Sequence, residues 1–279
     1  MRSNPKSNGA APDRAIIDAR SITHRFTPTG PTILDDVSLA VPGGEFVALL
    51  GASGCGKTTY MSILAGLIPP TAGSVWINGA DVTGTPSLAR TMVFQSDRLF
   101  PWRTALRNVA FGLELRGDSK AEARRKGEDA LRLVGLGAHF EAYPRQLSGG
   151  MRQRVNVARA LVMEPDFLLM DEPFASLDAQ TREVMQLEML RILGTTNVGV
   201  VLVTHQIEEA LYLADRVVVM SARPGRITKT IRVPFGRPRE LHVKRLPEFQ
   251  TLYDEIWAEI EDDVMAGASG DPLSRAASA

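Results

Sequence analysis

The 279 residues are 44% hydrophobic and 23% charged, an ordinary globular composition with enough chain for one large core or two modest ones. Lys plus Arg and Asp plus Glu each total 32, so the formal net charge is +0, which argues against a sequence-independent nucleic-acid binder. The single cysteine, Cys55, excludes an internal disulfide, and no apolar run approaches the ~18 residues of a membrane span. The expected setting is the reducing cytoplasm, with any membrane attachment made through partners.

Residues 1–13 are polar, lack the apolar stretch of a signal peptide, and read as a disordered arm. Short β-rich runs then predict strands over 16–22, 37–41, 45–50 and 74–77, interrupted by one helix over 57–65. A strand over 92–94 leads into residues 104–134, which turn helical. There Ser119 to Glu122 reads as a capping box, Ala123, Ala130, Leu131 and Val134 recur at helical spacing, and Gly135 stops the helix. A helix from Ser148 to about Val162 precedes a buried strand over 167–170. A helix over 178–193, a buried strand over 198–203 and the helical stripe Ile207, Ala210, Leu211 and Ala214 follow. Continuous apolar strands alternating with helices predict a parallel sheet covered on both faces. Strands return over 216–233, a helix runs from Pro247 to about Val264, and 266–279 reads as a frayed tail.

Gly51-Ala52-Ser53-Gly54-Cys55-Gly56-Lys57-Thr58 fits G-x-x-x-x-G-K-[ST] between a predicted strand and a predicted helix. Glycines let backbone N–H groups turn inward around an anion, and the helix start adds partial positive charge. Lys57 is suited to the β- and γ-phosphates, Thr58 to Mg²⁺, and Thr59 completes the ATP-binding run. Cys55, inside the loop beside Lys57, is expected to react with alkylating reagents and so to block nucleotide entry. This much specifies a P-loop NTPase and no more, although the lack of an Asn-Lys-x-Asp tetrad weakens a GTPase reading. Downstream, the buried strand ends in Asp171 and Glu172. Asp171 is suited to hold the metal and Glu172 to polarise the attacking water as general base.

Leu147-Ser148-Gly149-Gly150-Met151-Arg152-Gln153-Arg154 resembles the signature motif of ABC ATPases, and it precedes Asp171 at that family's spacing. Ser148 and the amides of Gly149 and Gly150 open a helix and would form a second anion site. The resemblance implies an α/β fold: a P-loop NTPase RecA-like core with an antiparallel β subdomain and an inserted helical subdomain. It implies ATP and Mg²⁺ as cofactors, and a head-to-tail dimer in which Ser148, Gly149, Gly150 and Met151 cap ATP held by the other subunit. Met151 stands where Gln is usual.

On the same resemblance, Phe26 stacks on adenine, Gln95 contacts Mg²⁺ or the lytic water, and His205 is the switch histidine at the γ-phosphate. Asp178, in Ala175-Ser176-Leu177-Asp178, links the two sites across the dimer; the small residues are swapped relative to the usual Ser-Ala-Leu-Asp.

Phe100-Pro101-Trp102, Ser221 to Ile227, Arg237 to Glu240 and Pro247-Glu248-Phe249 resemble the nitrate/sulfonate/taurine/bicarbonate importer group. The implied partners are a second ATPase subunit as a homodimer, an integral membrane permease docked at Phe100 and Trp102, and, indirectly, a substrate-binding protein. No nucleic acid is implied. The subunit would sit at the cytoplasmic face of the membrane, held by the permease. The expected organisation is an arm at 1–13, an ATPase domain at 14–236 with a helical subdomain at about 96–160, an extension at 237–265 and a tail at 266–279. Two other readings are a soluble ABC ATPase acting on DNA or ribosomes and an exporter motor. Neither a coiled-coil insertion nor a second cassette supports the first, and the importer-like insertion argues against the second.

Overall fold

The computed structural model describes residues 16–268, so the proposed arm at 1–13 and the tail beyond 268 lie outside the described residues. Two sheets carry the fold. The first is antiparallel, in the order β2-β1-β4-β5, from β1 (Ile16–His24), β2 (Leu34–Pro42), β4 (Ala72–Ile77) and β5 (Ala80–Asp81). Buried and exposed side chains alternate along β2, the pattern of a sheet with one wet face.

The second sheet runs β10-β9-β3-β8-β7-β6, from β10 (Ile227–Arg232), β9 (Arg216–Met220), β3 (Phe46–Leu50), β8 (Gly199–Thr204), β7 (Phe167–Asp171) and β6 (Arg90–Val93). It is parallel except where β10 pairs antiparallel with β9. Every residue of β3, β7 and β8 is buried, which explains their unbroken apolar sequences. Each fully buried large apolar side chain contributes roughly 1.5–3 kcal/mol, so these strands lie where the stabilising burial is concentrated.

One apolar cluster fills the space between the two sheets and includes Tyr60 and Met61 of α1 (Lys57–Leu64). The other joins the opposite face of the parallel sheet to α2 (Ala105–Arg116), α3 (Lys120–Leu133), α4 (Gly149–Leu161), α5 (Ala179–Gly194), α6 (Ile207–Leu213) and α7 (Pro247–Ala268). Register pairs Leu50 with Thr204 and Asp171 with Val203, so β3, β7 and β8 end almost level. The loops after these strands therefore open on one edge, where ligands of open α/β sheets bind.

Two local expectations need correction. Ser119 caps α3 by accepting from the Glu122 amide at 3.2 Å, but the Glu122 carboxylate turns to Arg125 at 2.7 Å, so only half of the capping box forms. The charged partner three residues further along the helix outcompetes the backbone amide. The C-terminal helix runs past the expected Val264 to Ala268. It packs near α6, whose C-terminal carbonyls at Leu211, Tyr212 and Ala214 accept from the buried Arg239 guanidinium.

Candidate functional site at the carboxyl edge of the parallel sheet

The loop from Gly51 to Gly56 leaves β3 and enters α1 through Gly56, whose φ of 98° lies where a side chain is strained. No side chain caps this helix start, so its first amides stay available to an anion. Gly51 is needed for close approach: a Cβ there would stand 2.4 Å from the Met220 carbonyl oxygen. Lys57 is 6% exposed and donates from Nζ to the carbonyls of Gly51 at 2.7 Å and Ala52 at 2.9 Å. Its charge is thereby folded into the cradle that the loop makes.

Asp171 ends β7 and accepts from the Thr58 hydroxyl at 3.2 Å. Burial holds the Asp171 carboxyl above the usual carboxylate range; the Thr58 hydrogen bond pulls it back, Glu172 adds to the rise, and Lys57 and Arg98 oppose it. Glu172 follows with φ of 44°, a left-handed conformation that costs energy in a non-glycine residue. It is pinned there by its amide, which donates to the Val203 carbonyl at 3.0 Å. Its carboxylate lies 3.1 Å from Nδ1 of His205, the first residue after β8.

Lys57, Thr58, Asp171, Glu172 and His205 thus come together at one edge. Among the described residues no hydrogen bond or ion pair joins Phe26, Gln95, Ser148 or Asp178 to that group. Phe26 is 66% exposed beyond β1 and meets the buried His24 ring edge-on at 4.9 Å, so it is no core aromatic. Gln95 is exposed after β6.

Ser148 caps α4, its hydroxyl accepting from the Met151 amide at 3.2 Å. Gly149 beside it is exposed, while a Cβ on Gly150 would press to 2.9 Å on the Thr181 methyl of α5. Asp178 caps α5 through the Thr181 amide at 3.0 Å; that hydrogen bond holds its carboxyl below the usual range. Trp102 is 71% exposed and Phe100 packs on Phe111 at 4.8 Å. Trp102, Arg103, Leu106, Arg107, Ala110 and Lys120 line a groove of about 810 Å³.

The expected reactivity of Cys55 does not fit the structure. Its side chain is fully buried in the apolar cluster beneath the loop, with Lys57 Nζ 3.5 Å from Sγ. A maleimide has no approach to the sulfur. Sequence reading also missed the clamp between α4 and the segment after Gln95. Arg152 Nε meets Asp97 at 2.9 Å, and Arg159 donates to the carbonyls of Asp97 and Arg98, each at 2.9 Å. No sequence spacing foretells contacts between segments so far apart.

The chain's similarities agree with this geometry. The family model described as ABC transporter matches residues 34–175. An uncharacterized ABC transporter ATP-binding protein, MJ0412 of Methanocaldococcus jannaschii, is 47% identical over 83% of this chain and 85% of its own. The taurine import ATP-binding protein TauB of Chromobacterium violaceum is 46% identical over 88% of this chain and 96% of its own. Among solved structures, the dimeric post-hydrolysis state of the ATP-binding cassette MJ0796, bound to ADP and Pi, has a TM-score of 0.66 at 28% identity, covering 79% of this chain and 100% of that one. The cbiO1 cassette of Clostridium perfringens has a TM-score of 0.73 at 24% identity over 86% and 99%, a likeness of fold. With these relatives covering most of its length, this chain binds and hydrolyses ATP and belongs to the ATP-binding subunits of the ABC transporter family.

Proposed function

We propose that the chain powers an importer of small anions of the taurine, sulfonate, nitrate or bicarbonate kind, as a homodimer held by a membrane permease at the cytoplasmic face. The observation that carries the chemistry is the cluster at the sheet edge, with Glu172 and His205 3.1 Å apart beside the phosphate loop. The import reading is supported by relatives named for taurine import that share 42–49% identity with this chain. No helix among the described residues is long and apolar enough to cross a membrane, consistent with a separate permease.

Gly51 to Thr59 hold the phosphates, with Lys57 turning its ammonium from loop carbonyls to phosphate oxygens when nucleotide arrives. Phe26 offers its exposed face to adenine. Glu172 takes the proton of the attacking water, and His205, bonded to Glu172 through Nδ1, presents its other nitrogen toward the terminal phosphate. Gln95 orients the water from the neighbouring strand end.

The residues present fit Mg²⁺. The Thr58 hydroxyl and the Asp171 carboxylate are hard oxygen donors 3.2 Å apart. Among the described residues no group of three or more His, Cys, Asp or Glu makes a protein cage. Mg²⁺ favours such a half-site, completed by phosphate and water, and it would neutralise charge on the phosphates.

Ser148, Gly149, Gly150 and Met151 are exposed or half-exposed except for Gly150, and would cap the nucleotide of the second subunit, with Asp178 facing across the same junction. Trp102, which lines the groove, and Phe100, 5.6 Å from its ring, would receive the permease, and a substrate-binding protein would deliver the anion from the far side.

The test is Glu172→Gln. ATP affinity should be kept while turnover falls by a factor on the order of 10² or more. Hydrolysis at the wild-type rate would defeat the assignment.

A further inference from the structure

The switch histidine sits between two anchored neighbours. On one side Thr204 is 1% exposed; its hydroxyl accepts the Gln206 amide at 3.0 Å and lies beside the Glu209 carboxylate. Glu209, itself 3% exposed, also accepts Nε2 of the buried Gln186 of α5 at 3.1 Å. On the other side the Gln206 side-chain oxygen accepts from Arg182 Nη1 at 3.1 Å. The same guanidinium donates from Nη2 to the Leu177 carbonyl at 2.8 Å, one residue before Asp178. Its Nε is buried with no partner, so the group is wedged between the two loops and does not lie free on the surface.

Burying a carboxylate in a helix costs stability that an apolar residue would not. Burial pushes the Glu209 carboxyl up, while Thr204, Gln186, Arg182 and His205 pull it back. A core position that keeps so expensive a group is one where geometry matters more than stability.

We propose that Arg182 and Glu209 are positioning residues for His205, the first tying its loop to the loop carrying Asp178 and the second fixing the strand end that precedes it. The inference rests on the reading of His205 given above and adds to it. Movement of the Asp178 loop is carried through the Leu177 carbonyl, Arg182 and Gln206 to the imidazole, so the surface facing the second subunit and the γ-phosphate sensor share one guanidinium.

The chain has 4 histidines, so ¹³Cε1-histidine NMR of the intact protein resolves each ring. Arg182→Ala should shift the His205 signal and leave His24 and His139 in place, which also reports an intact fold. In the same variant kcat should fall about tenfold, the effect of a slightly misplaced catalytic group. KM for ATP should stay within about twofold, because ground-state binding is untouched. Glu209→Ala should act alike, and Glu209→Gln, which keeps an acceptor for Gln186 and Thr204, should restore both readouts. An unmoved His205 signal in Arg182→Ala overturns the positioning role. Wild-type turnover in His205→Ala instead overturns the reading of the histidine, and the two failures are separately visible.

Discussion

The two helix starts proposed above as anion sites are built differently. The first, at Gly56, has a left-handed entry and no side-chain cap, and it faces Asp171 and Glu172 at the neighbouring strand end with Lys57 folded into its loop. The second, at Ser148, enters from an extended residue and has its first turn capped by its own hydroxyl. No carboxylate, lysine or histidine of the hydrolytic cluster bonds to it among the described residues. A helix dipole is common to both; what separates them is which donors remain free and which charged groups stand opposite. On the function proposed above, the first holds nucleotide within one subunit and the second meets the nucleotide of the other.

That contrast predicts separable losses. Ser148→Arg, placed in the slowly hydrolysing Glu172→Gln protein, should abolish ATP-driven dimerisation in light scattering while the single subunit still binds ATP. Lys57→Ala should act one step earlier, weakening ATP binding itself by about 10- to 100-fold, the scale of a lost charged hydrogen bond, and dimerisation with it. If Ser148→Arg weakened ATP binding by a lone subunit as strongly, the two starts would not be distinct.

A third region sharpens the comparison because it lies on neither. Replacing Phe100 and Trp102 together with Ser should remove about 2 kcal/mol or more of permease binding, as expected for aromatic anchors. Transport by cells should stop while the purified subunit keeps its ATPase activity and melting point. Loss of all three together would mean that Phe100, which already packs on Phe111, serves the helical core instead.

The smallest expected effect concerns the cost of the first site. A carboxyl raised above its unfolded value binds its proton more tightly in the folded chain. Its charge therefore costs stability at neutral pH, and the cost is relieved as pH falls through the folded value. Asp171→Asn should accordingly raise Tm by ~2–4 °C near neutral pH, the shift expected from about 1 kcal/mol in a chain of this size. The gain should shrink toward acid pH, and differential scanning calorimetry across pH would show it. A lower Tm at neutral pH would mean that the Thr58 hydrogen bond outweighs burial.

Much of this site is legible in the residues themselves. Gly51 to Thr58 is a local construction, since glycine spacing and a following helix suffice to make the turn. Asp171 and Glu172 announce themselves by ending an apolar run, and Ser148, Ser119 and Asp178 act as helix caps from short-range bonds alone. The limits are equally local. The spacing from Ser119 to Glu122 suggests a reciprocal cap, yet Arg125 takes the carboxylate.

Only the tertiary structure decides where side chains point once segments meet. Cys55 turns into the core because α1 and the strands pack beneath the loop, a choice made by residues distant in sequence. Glu172 is held left-handed by the Val203 carbonyl of a neighbouring strand, and Arg182 of α5 reaches Gln206 at the start of α6. The sequence by itself determined the strands, the helix starts and the chemical inventory, because these depend on periodicity and bonds within a few residues. The tertiary structure alone decided which groups touch, because a contact's energy is realised only after the chain between its partners has folded.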